Sequence, residues 1–322
     1  MKAIVFDRSV RLDLERPRPE PGPGEALLRV LVAGVCNTDV EITRGYLGFA
    51  GVLGHEFTAV VEAVNGPDPA GLTGQRVVGG INAGCGACAW CARGLSRHCS
   101  SRTVLGILGR DGAMAEYATL PASNLVPLPE AVTDEAGVFA EPLAAAFEIT
   151  EQTHVGPDDR VLVLGDGKLG QLCAQALALT QARVDLAGRH PAKLALAASR
   201  GIQTLMPNQI PTDRPYDMVV EATGRAGGLM QALGLVRPRG IVVLKSTLAE
   251  GAPMNLAPLV IDEITLLGSR CGPFGPAVRA LASGAVDVTP LVEAVYPADR
   301  AVEAFAHASQ PGTLKILIDF RV

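Results

Sequence analysis

The stretch Arg160-Val-Leu-Val-Leu-Gly-Asp-Gly-Lys-Leu-Gly170 decides the fold of the second half of the chain. Its apolar residues predict a buried strand, and the G-x-G-x-x-G spacing that follows opens a helix. In such a turn the first glycine permits the tight bend, the second lets a pyrophosphate approach the backbone, and the third lets the helix pack closely on the strand. The helix N-terminus then offers free N–H groups to the phosphates. The alternative is an ordinary glycine-rich turn. We predict a dinucleotide site on Gly165, Gly167, Lys168, Leu169 and Gly170.

The segments around this stretch alternate between strands and helices. The sequence predicts helices at 143–150, 169–180 and 191–200, and strands at 160–164, 183–187, 217–221, 240–244 and 264–268. Strands that alternate with helices imply βαβ units and a parallel sheet. We therefore predict an α/β domain in this part of the chain.

The residues before Glu141 follow a different pattern of short strands and turns. Strands are predicted at 2–6, 25–32, 58–64 and 76–78, and the proline-rich stretch 16–24 can be neither helix nor central strand. This half is predicted to be β-rich and barrel-like. A helix at 276–283 and a last strand at 314–320 follow the α/β region, and we expect the chain end to return to the first domain.

The end of the second α/β strand bears on the choice of cofactor. Enzymes that use NAD usually place Asp or Glu there to accept hydrogen bonds from the ribose 2′-hydroxyl. Asp185 lies in mid-strand, whereas the tip reads Gly188-Arg189-His190. A small residue and a cation suit a 2′-phosphate, which a carboxylate would repel. The sequence thus favours NADP(H) over NAD(H), with Gly188 and Arg189 as contacts; the alternative is that Arg189 only caps the strand in solvent.

A cluster of four cysteines predicts a metal site. They have the spacing C-x2-C-x2-C-x7-C, and four thiolates so close in sequence can surround one zinc with no open position. Two disulfides would need an oxidising compartment, and the last spacing does not match an iron–sulfur run. The cluster therefore predicts a structural zinc bound by Cys85, Cys88, Cys91 and Cys99.

Composition excludes several classes of protein. The chain has 322 residues, 48% of them hydrophobic and 19% charged, with a net charge of −5. This balance disfavours disorder, and no Lys/Arg run resembles a nucleic-acid patch. The chain has no stretch of 18 apolar residues that would suggest a membrane span, and its first eight residues include an acid and a base where a signal peptide needs an apolar core. We expect a cytoplasmic protein with a small-molecule substrate, and no nucleic-acid or membrane partner.

Three further segments carry residues that can bind a metal: Gly34-Val-Cys-Asn-Thr-Asp39, Gly54-His-Glu56 and Ala140-Glu-Pro142. Together with the cysteine cluster and the glycine motif, and in this order, they resemble the zinc-dependent medium-chain alcohol dehydrogenase family, nearest its polyol and sugar dehydrogenase branch. The resemblance covers essentially the whole chain. It implies a GroES-like β-barrel catalytic domain at 1–141 and 273–322, with the zinc lobe near 84–100. It also implies a Rossmann domain, a doubly wound parallel sheet, at 142–272.

The resemblance implies a role for each residue of the site. Cys36 and His55 would bind a catalytic zinc, with Glu56 or Glu141 completing the protein ligands. Asp39 would orient His55, and Thr38 would lie beside the reacting oxygen. Two contacts with the cofactor would come from Lys315, at the pyrophosphate, and Arg270, near the nicotinamide; the alternatives are a solvated lysine and a surface arginine.

One position departs from many relatives. Where they place a histidine of the proton relay, this sequence has Glu41. Glu41 is therefore a candidate either for an altered relay or for contact with a polyhydroxylated substrate.

The function expected from these features is zinc-dependent transfer of hydride between an alcohol or polyol and NAD(P). The chain would carry two zinc ions and act as a homodimer or homotetramer. The alternatives are an NAD-dependent aldose dehydrogenase and a zinc-structured NAD(P)-binding protein without turnover, which would serve as a sensor or structural protein.

Overall fold

A computed structural model describes residues 1–68, 70–247 and 255–321. Contacts within the chain divide it into two compact units: residues 1–141 with 274–322, and residues 142–273. The sequence placed the second boundary one residue earlier. We refer to these parts as the first unit and the second unit.

The strands form two main sheets and two small ones. In chain order they are β1 (Ala3–Asp7), β2 (Ser9–Asp13), β3 (Glu25–Val35), β4 (Gly51–Val52), β5 (Glu56–Val64), β6 (Arg76–Gly79), β7 (Asn82–Ala83), β8 (Thr103–Leu105), β9 (Gly109–Arg110), β10 (Tyr117–Pro121), β11 (Leu125–Pro127), β12 (Arg160–Leu164), β13 (Arg183–Ala187), β14 (Gln203–Leu205), β15 (Tyr216–Glu221), β16 (Val236–Leu244), β17 (Thr265–Gly268), β18 (Val292–Pro297) and β19 (Lys315–Asp319).

The helices lie mainly in the second half of the chain. They are α1 (Asn37–Thr43), α2 (Ala89–Ala92), α3 (Asp134–Gly137), α4 (Ala140–Gln152), α5 (Lys168–Ala178), α6 (Pro191–Ala198), α7 (Gly228–Leu235), α8 (Ala257–Ile261), α9 (Phe274–Ala282) and α10 (Ala301–Ala308). Among the described residues, none of these helices has the length and hydropathy needed to cross a membrane.

The first unit is built around strand β3. Its residues Ala26–Val35 are almost all buried, since apolar side chains occupy both faces. β3 pairs antiparallel with β5, β10 and β19 in a seven-stranded sheet, whose main path runs β11-β6-β5-β3-β19-β18. The pairing of β19 with β3 confirms that the chain end returns to the first domain. This return places the start of β19 next to the end of β3.

The second unit contains the predicted parallel sheet. Its strand order is β14-β13-β12-β15-β16-β17 and every neighbouring pair is parallel, which confirms the doubly wound arrangement. β12 ends at Leu164, and the next residue, Gly165, has a φ of 114°. A Cβ on Gly170 would lie 1.8 Å from the Gly165 carbonyl oxygen, so the third glycine is needed for helix α5 to start where it does.

Several predicted bounds were wrong in detail. The sequence reading missed the short polar strand β14, and β16 begins at Val236 rather than at 240. Helix α5 ends at Ala178 rather than at 180, and α4 begins at Ala140 rather than at 143. At the far edge of the sheet, β17 exposes 37% of Leu266, and the adjacent helix α8 exposes 79% of Val260 and 77% of Ile261.

Candidate metal and dinucleotide sites

Three potential metal ligands converge in the first unit. The ligand atoms of Cys36, His55 and Glu56 all lie within 4.8 Å of one another. Strand β3 ends one residue before Cys36, which is the N-cap of α1, and His55 immediately precedes β5. The neighbouring strands β3 and β5 thus bring two short sequence motifs to one point. Thiolate, imidazole and carboxylate are all ligands that zinc accepts, so the residues fit a zinc ion.

Asp39 lies behind this cluster and is fully buried. The backbone N–H of Cys36 donates to Asp39 Oδ2 at 2.8 Å, and that of Gly54 donates to Oδ1 at 3.3 Å. His55 Nδ1 lies 3.3 Å from Oδ1, a close contact without good hydrogen-bond alignment. One carboxylate therefore fixes the backbone on both sides of the cluster and faces the imidazole, as expected of a group that orients a ligand.

The electrostatics of the cluster favour a cation. Burial lowers the pKa of the His55 imidazole, but the facing Asp39 carboxylate and the Cys36 sulfur outweigh burial and raise it well above its ordinary value. A raised imidazole pKa indicates negative charge around the ring. A zinc ion would meet the same negative surroundings.

Glu56 forms a buried ion pair with Lys315. Both side chains are 1% exposed, although 259 residues separate them in sequence. They approach across Gly34 of the intervening strand β3, where a Cβ would lie 2.8 Å from the Glu56 carboxylate and 3.3 Å from Lys315 Cδ. Burial lowers the pKa of Lys315, but Glu56 and, more weakly, Cys36 raise it above its ordinary value. Lys315 is therefore not a solvated lysine; its expected contact with the cofactor pyrophosphate stays a prediction.

Other expected members of the site lie around the cluster. Glu141 is in the first turn of α4 and is not among the three ligands within 4.8 Å. Thr38 is half-buried in the first turn of α1. Glu41 accepts a hydrogen bond from the Arg44 guanidinium at 2.9 Å. This ion pair gives Glu41 a local partner that the sequence reading missed, although an i, i+3 pair on a helix is a recognisable signal.

The four cysteines form a second cluster in the first unit. Their sulfur atoms all lie within 4.8 Å of one another, with 3.6 Å between Cys88 Sγ and Cys91 Sγ. A tetrahedral zinc with Zn–S bonds of about 2.3 Å requires sulfur atoms about 3.8 Å apart, which this cluster nearly matches. Backbone N–H groups of Ala87 and Cys88 lower the pKa of Cys85 to about 6. The predicted ligands are thus together, and their chemistry fits a closed zinc site.

The glycine loop and the tip of β13 meet in the second unit. Helix α5 begins at Lys168 with Gly167 as its N-cap, so the loop presents the helix N-terminus as predicted. Asp185 is buried in mid-strand, where the Tyr216 hydroxyl donates to it at 2.8 Å, and it is not at the tip. Arg189 is exposed at the tip, and Arg270 is exposed just beyond β17.

Sequence reasoning missed the part that Asp166 plays in this loop. Asp166 is the second residue of the glycine motif and is 6% exposed. Its Oδ2 accepts the backbone N–H groups of Arg189 at 2.7 Å and His190 at 2.8 Å. The only signal in the sequence was an acidic residue between the first two glycines of the motif.

Comparison with known proteins gives a consistent picture. The family profile described as "Alcohol dehydrogenase GroES-like domain" matches residues 22–130. The D-altritol 5-dehydrogenase of Agrobacterium fabrum is 31% identical over 84% of each chain. Among solved structures, an alcohol dehydrogenase of Escherichia coli CFT073 complexed with NADH superposes with a TM-score of 0.90 at 27% identity over 99% of each chain. A zinc-binding dehydrogenase of Sinorhizobium meliloti bound to NADP gives 0.87 at 27% identity, over 99% of this chain and 98% of that one.

Proposed function

We propose that this chain, which belongs to the zinc-type medium-chain dehydrogenase family and to its polyol branch, oxidises an alcohol or polyol at a zinc site built on Cys36 and His55. As a member of this branch it is an oxidoreductase of alcohols or polyols that uses a nicotinamide dinucleotide. The observation that carries the site is the convergence of Cys36, His55 and Glu56 on one point, with Asp39 behind them.

The residues of the first unit would hold the metal and the substrate oxygen. Cys36 and His55 bind the zinc, and Glu56 or Glu141 supplies the carboxylate ligand. A zinc ion bound there supplies a Lewis acid that polarises the substrate oxygen and makes its hydroxyl proton more acidic. Asp39 keeps the imidazole oriented by holding the backbone of Cys36 and Gly54. Thr38, two residues after Cys36, would accept the proton through its hydroxyl and pass it to solvent.

The residues of the second unit would hold the cofactor. Backbone N–H groups at the start of α5, from Lys168 and Leu169, face the pyrophosphate, and Gly167 allows it close to the backbone. A nicotinamide held by these residues would supply the acceptor for the hydride of the substrate carbon. Arg270, beyond the carboxyl end of β17, contributes to the nicotinamide pocket, since ligands of such sheets bind at the carboxyl ends of the strands.

A substrate panel together with metal analysis tests this function. We expect the chain to oxidise polyols or secondary alcohols, which is measured as the absorbance of the reduced nicotinamide. We also expect two zinc ions per chain. An NAD-dependent aldose dehydrogenase would instead oxidise sugars in preference to polyols. A chain that binds dinucleotide, contains one zinc and turns over no member of the panel would be the non-catalytic sensor or structural protein.

The cysteine lobe gives a separate prediction. Replacing the buried Cys99 with Ala removes one ligand of the closed site, so the zinc content should fall by one ion per chain. Structural zinc contributes folding free energy, and a loss of about 2 kcal/mol would lower the melting temperature by roughly 4–8 °C. Metal analysis and thermal unfolding check both effects, with the exposed neighbour Ser100→Ala as the matched control. If Cys99→Ala kept its fold and its other zinc but lost hydride transfer, the lobe could not be purely structural.

The proposed assembly is a homodimer that pairs at the outer edge of β17. This strand ends the described sheet and exposes Leu266, and the preceding helix α8 exposes Val260 and Ile261. An exposed strand edge next to apolar side chains favours pairing with a second copy. Ile261→Asp should shift the mass measured by light scattering from dimer to monomer. A wild-type monomer, or a variant that stays dimeric, would contradict this assembly.

A further inference from the structure

A carboxylate lies at the tip of β13, although the strand itself ends in glycine. It belongs to Asp166 of the glycine loop, whose Oδ2 accepts two backbone N–H groups, from Arg189 and His190. The ring Nδ1 of His190 lies 3.0 Å from both carboxylate oxygens. Three donors from the strand tip therefore hold this side chain in one position.

Asp166 also explains why residue 188 is glycine. A Cβ on Gly188 would lie 2.3 Å from the Cβ and 2.3 Å from the Oδ2 of Asp166, far inside van der Waals contact. Any strand-tip side chain, including the usual Asp or Glu, would displace Asp166. The small residue at this tip is thus required by the Asp166 carboxylate and does not indicate space for a phosphate.

The nearby acidic residue of the strand cannot replace Asp166. Asp185 is buried two residues before the end of β13, and the Tyr216 hydroxyl and the Arg160 guanidinium contact it. Of the two carboxylates, only that of Asp166 lies against the loop where the ribose next to the adenine binds in such folds.

From this arrangement we infer that Asp166 sets the cofactor specificity, accepting the ribose 2′-hydroxyl of NAD(H) and repelling the 2′-phosphate of NADP(H). The inference rests on the proposed use of a nicotinamide dinucleotide, and it reverses the preference expected from Gly188 and Arg189. Burial raises the pKa of Asp166, but His190 and the two backbone N–H groups outweigh burial and lower it. The carboxylate is therefore ionised at neutral pH.

Two basic residues follow Gly188 at this tip. Arg189 reaches the carboxylate through its backbone N–H, and its side chain is exposed. The His190 ring contacts the carboxylate through Nδ1. A 2′-phosphate at this tip would therefore meet the carboxylate charge of Asp166 at close range.

Binding of cofactor fragments tests this without turnover. Calorimetry on the zinc-loaded protein at pH 8 compares the binding of ADP-ribose with that of 2′-phospho-ADP-ribose. The wild type should bind ADP-ribose at least about tenfold more tightly, because one nearby like charge has an effect of that size. Asp166→Asn keeps the shape and an acceptor oxygen but loses the charge. The ratio of the two dissociation constants, 2′-phospho-ADP-ribose over ADP-ribose, should therefore fall by about tenfold. Asp158→Asn, an exposed acid of the same unit, serves as the matched control and should leave the ratio unchanged.

The possible outcomes separate two failures. If neither fragment binds to the wild type, the proposed dinucleotide function fails. If the wild type binds 2′-phospho-ADP-ribose more tightly, or if Asp166→Asn binds both fragments with the wild-type ratio, the role of Asp166 is overturned. The wild-type comparison needs no variant, so the inference can be tested even if Asp166→Asn does not fold.

Discussion

Replacing Cys36 with Ser should reduce kcat/KM for the best alcohol substrate by about a thousandfold or more, the equivalent of about 4 kcal/mol of lost transition-state stabilisation. The change removes the only thiolate of the Cys36–His55–Glu56 cluster. A serine hydroxyl is a much weaker zinc ligand than a thiolate, so the catalytic zinc should be lost while the cysteine lobe keeps its own. Steady-state kinetics and zinc content per chain measure the two effects.

Cys173→Ala is the matched control for this experiment. Cys173 is fully buried in α5, and burial raises the pKa of its thiol to about 11, so it behaves as a small apolar residue. The control should keep both zinc ions and full turnover. A Cys36→Ser protein with normal zinc content and normal kcat/KM would show that the proposed catalytic site is wrong.

The same measurements separate the two candidate carboxylate ligands. Glu56 lies in the cluster but shares its charge with Lys315, whereas Glu141 lies outside the cluster in the first turn of α4. If Glu56 is the ligand, Glu56→Gln lowers the zinc content and Glu141→Gln does not. The reverse result would assign the position to Glu141.

Lys315→Met should lower the free energy of unfolding by about 3–5 kcal/mol, because it leaves the Glu56 carboxylate buried without its counter-charge. Both groups are 1% exposed, so water cannot solvate the remaining charge. Chemical denaturation measures the loss, with the catalytic zinc removed because a bound zinc ion would itself offset the Glu56 charge. In Lys315→Met/Glu56→Gln no charge is left unpaired, and most of the stability should return.

An exposed ion pair provides the control for Lys315→Met. Arg300, the N-cap of α10, pairs with Glu303 on the surface of that helix, where water already solvates both charges. Arg300→Met should leave the unfolding free energy nearly unchanged. A Lys315→Met protein as stable as this control would contradict the buried pair.

The sequence predicted best the features that depend on neighbouring residues. The bounds of β12 and β13 were correct because mainly apolar residues form each strand and a glycine follows it. β14 was missed because it has only three residues, two of them polar. The start of β16 was missed because Arg237-Pro-Arg239 interrupts its apolar pattern.

In the candidate sites, too, the sequence predicted short motifs but missed contacts between distant residues. Cys36 and His55 lie in short motifs that can be recognised, but the partner of Glu56 lies on β19, 259 residues away. Only the pairing of β5 and β19 on either side of β3 brings the two together. The contact between Gly188 and Asp166 could not be predicted for a related reason, since the Asp166 side chain comes from another loop.

The outer edge of β17 has a practical consequence for handling this enzyme. If two copies pair there, association stabilises the folded chain by mass action, and the melting temperature rises with protein concentration. Dilution into an activity assay would then leave a less stable monomer with Leu266, Val260 and Ile261 in water. Slow inactivation on dilution would then be caused by the strand edge, with no change at either cluster of candidate metal ligands.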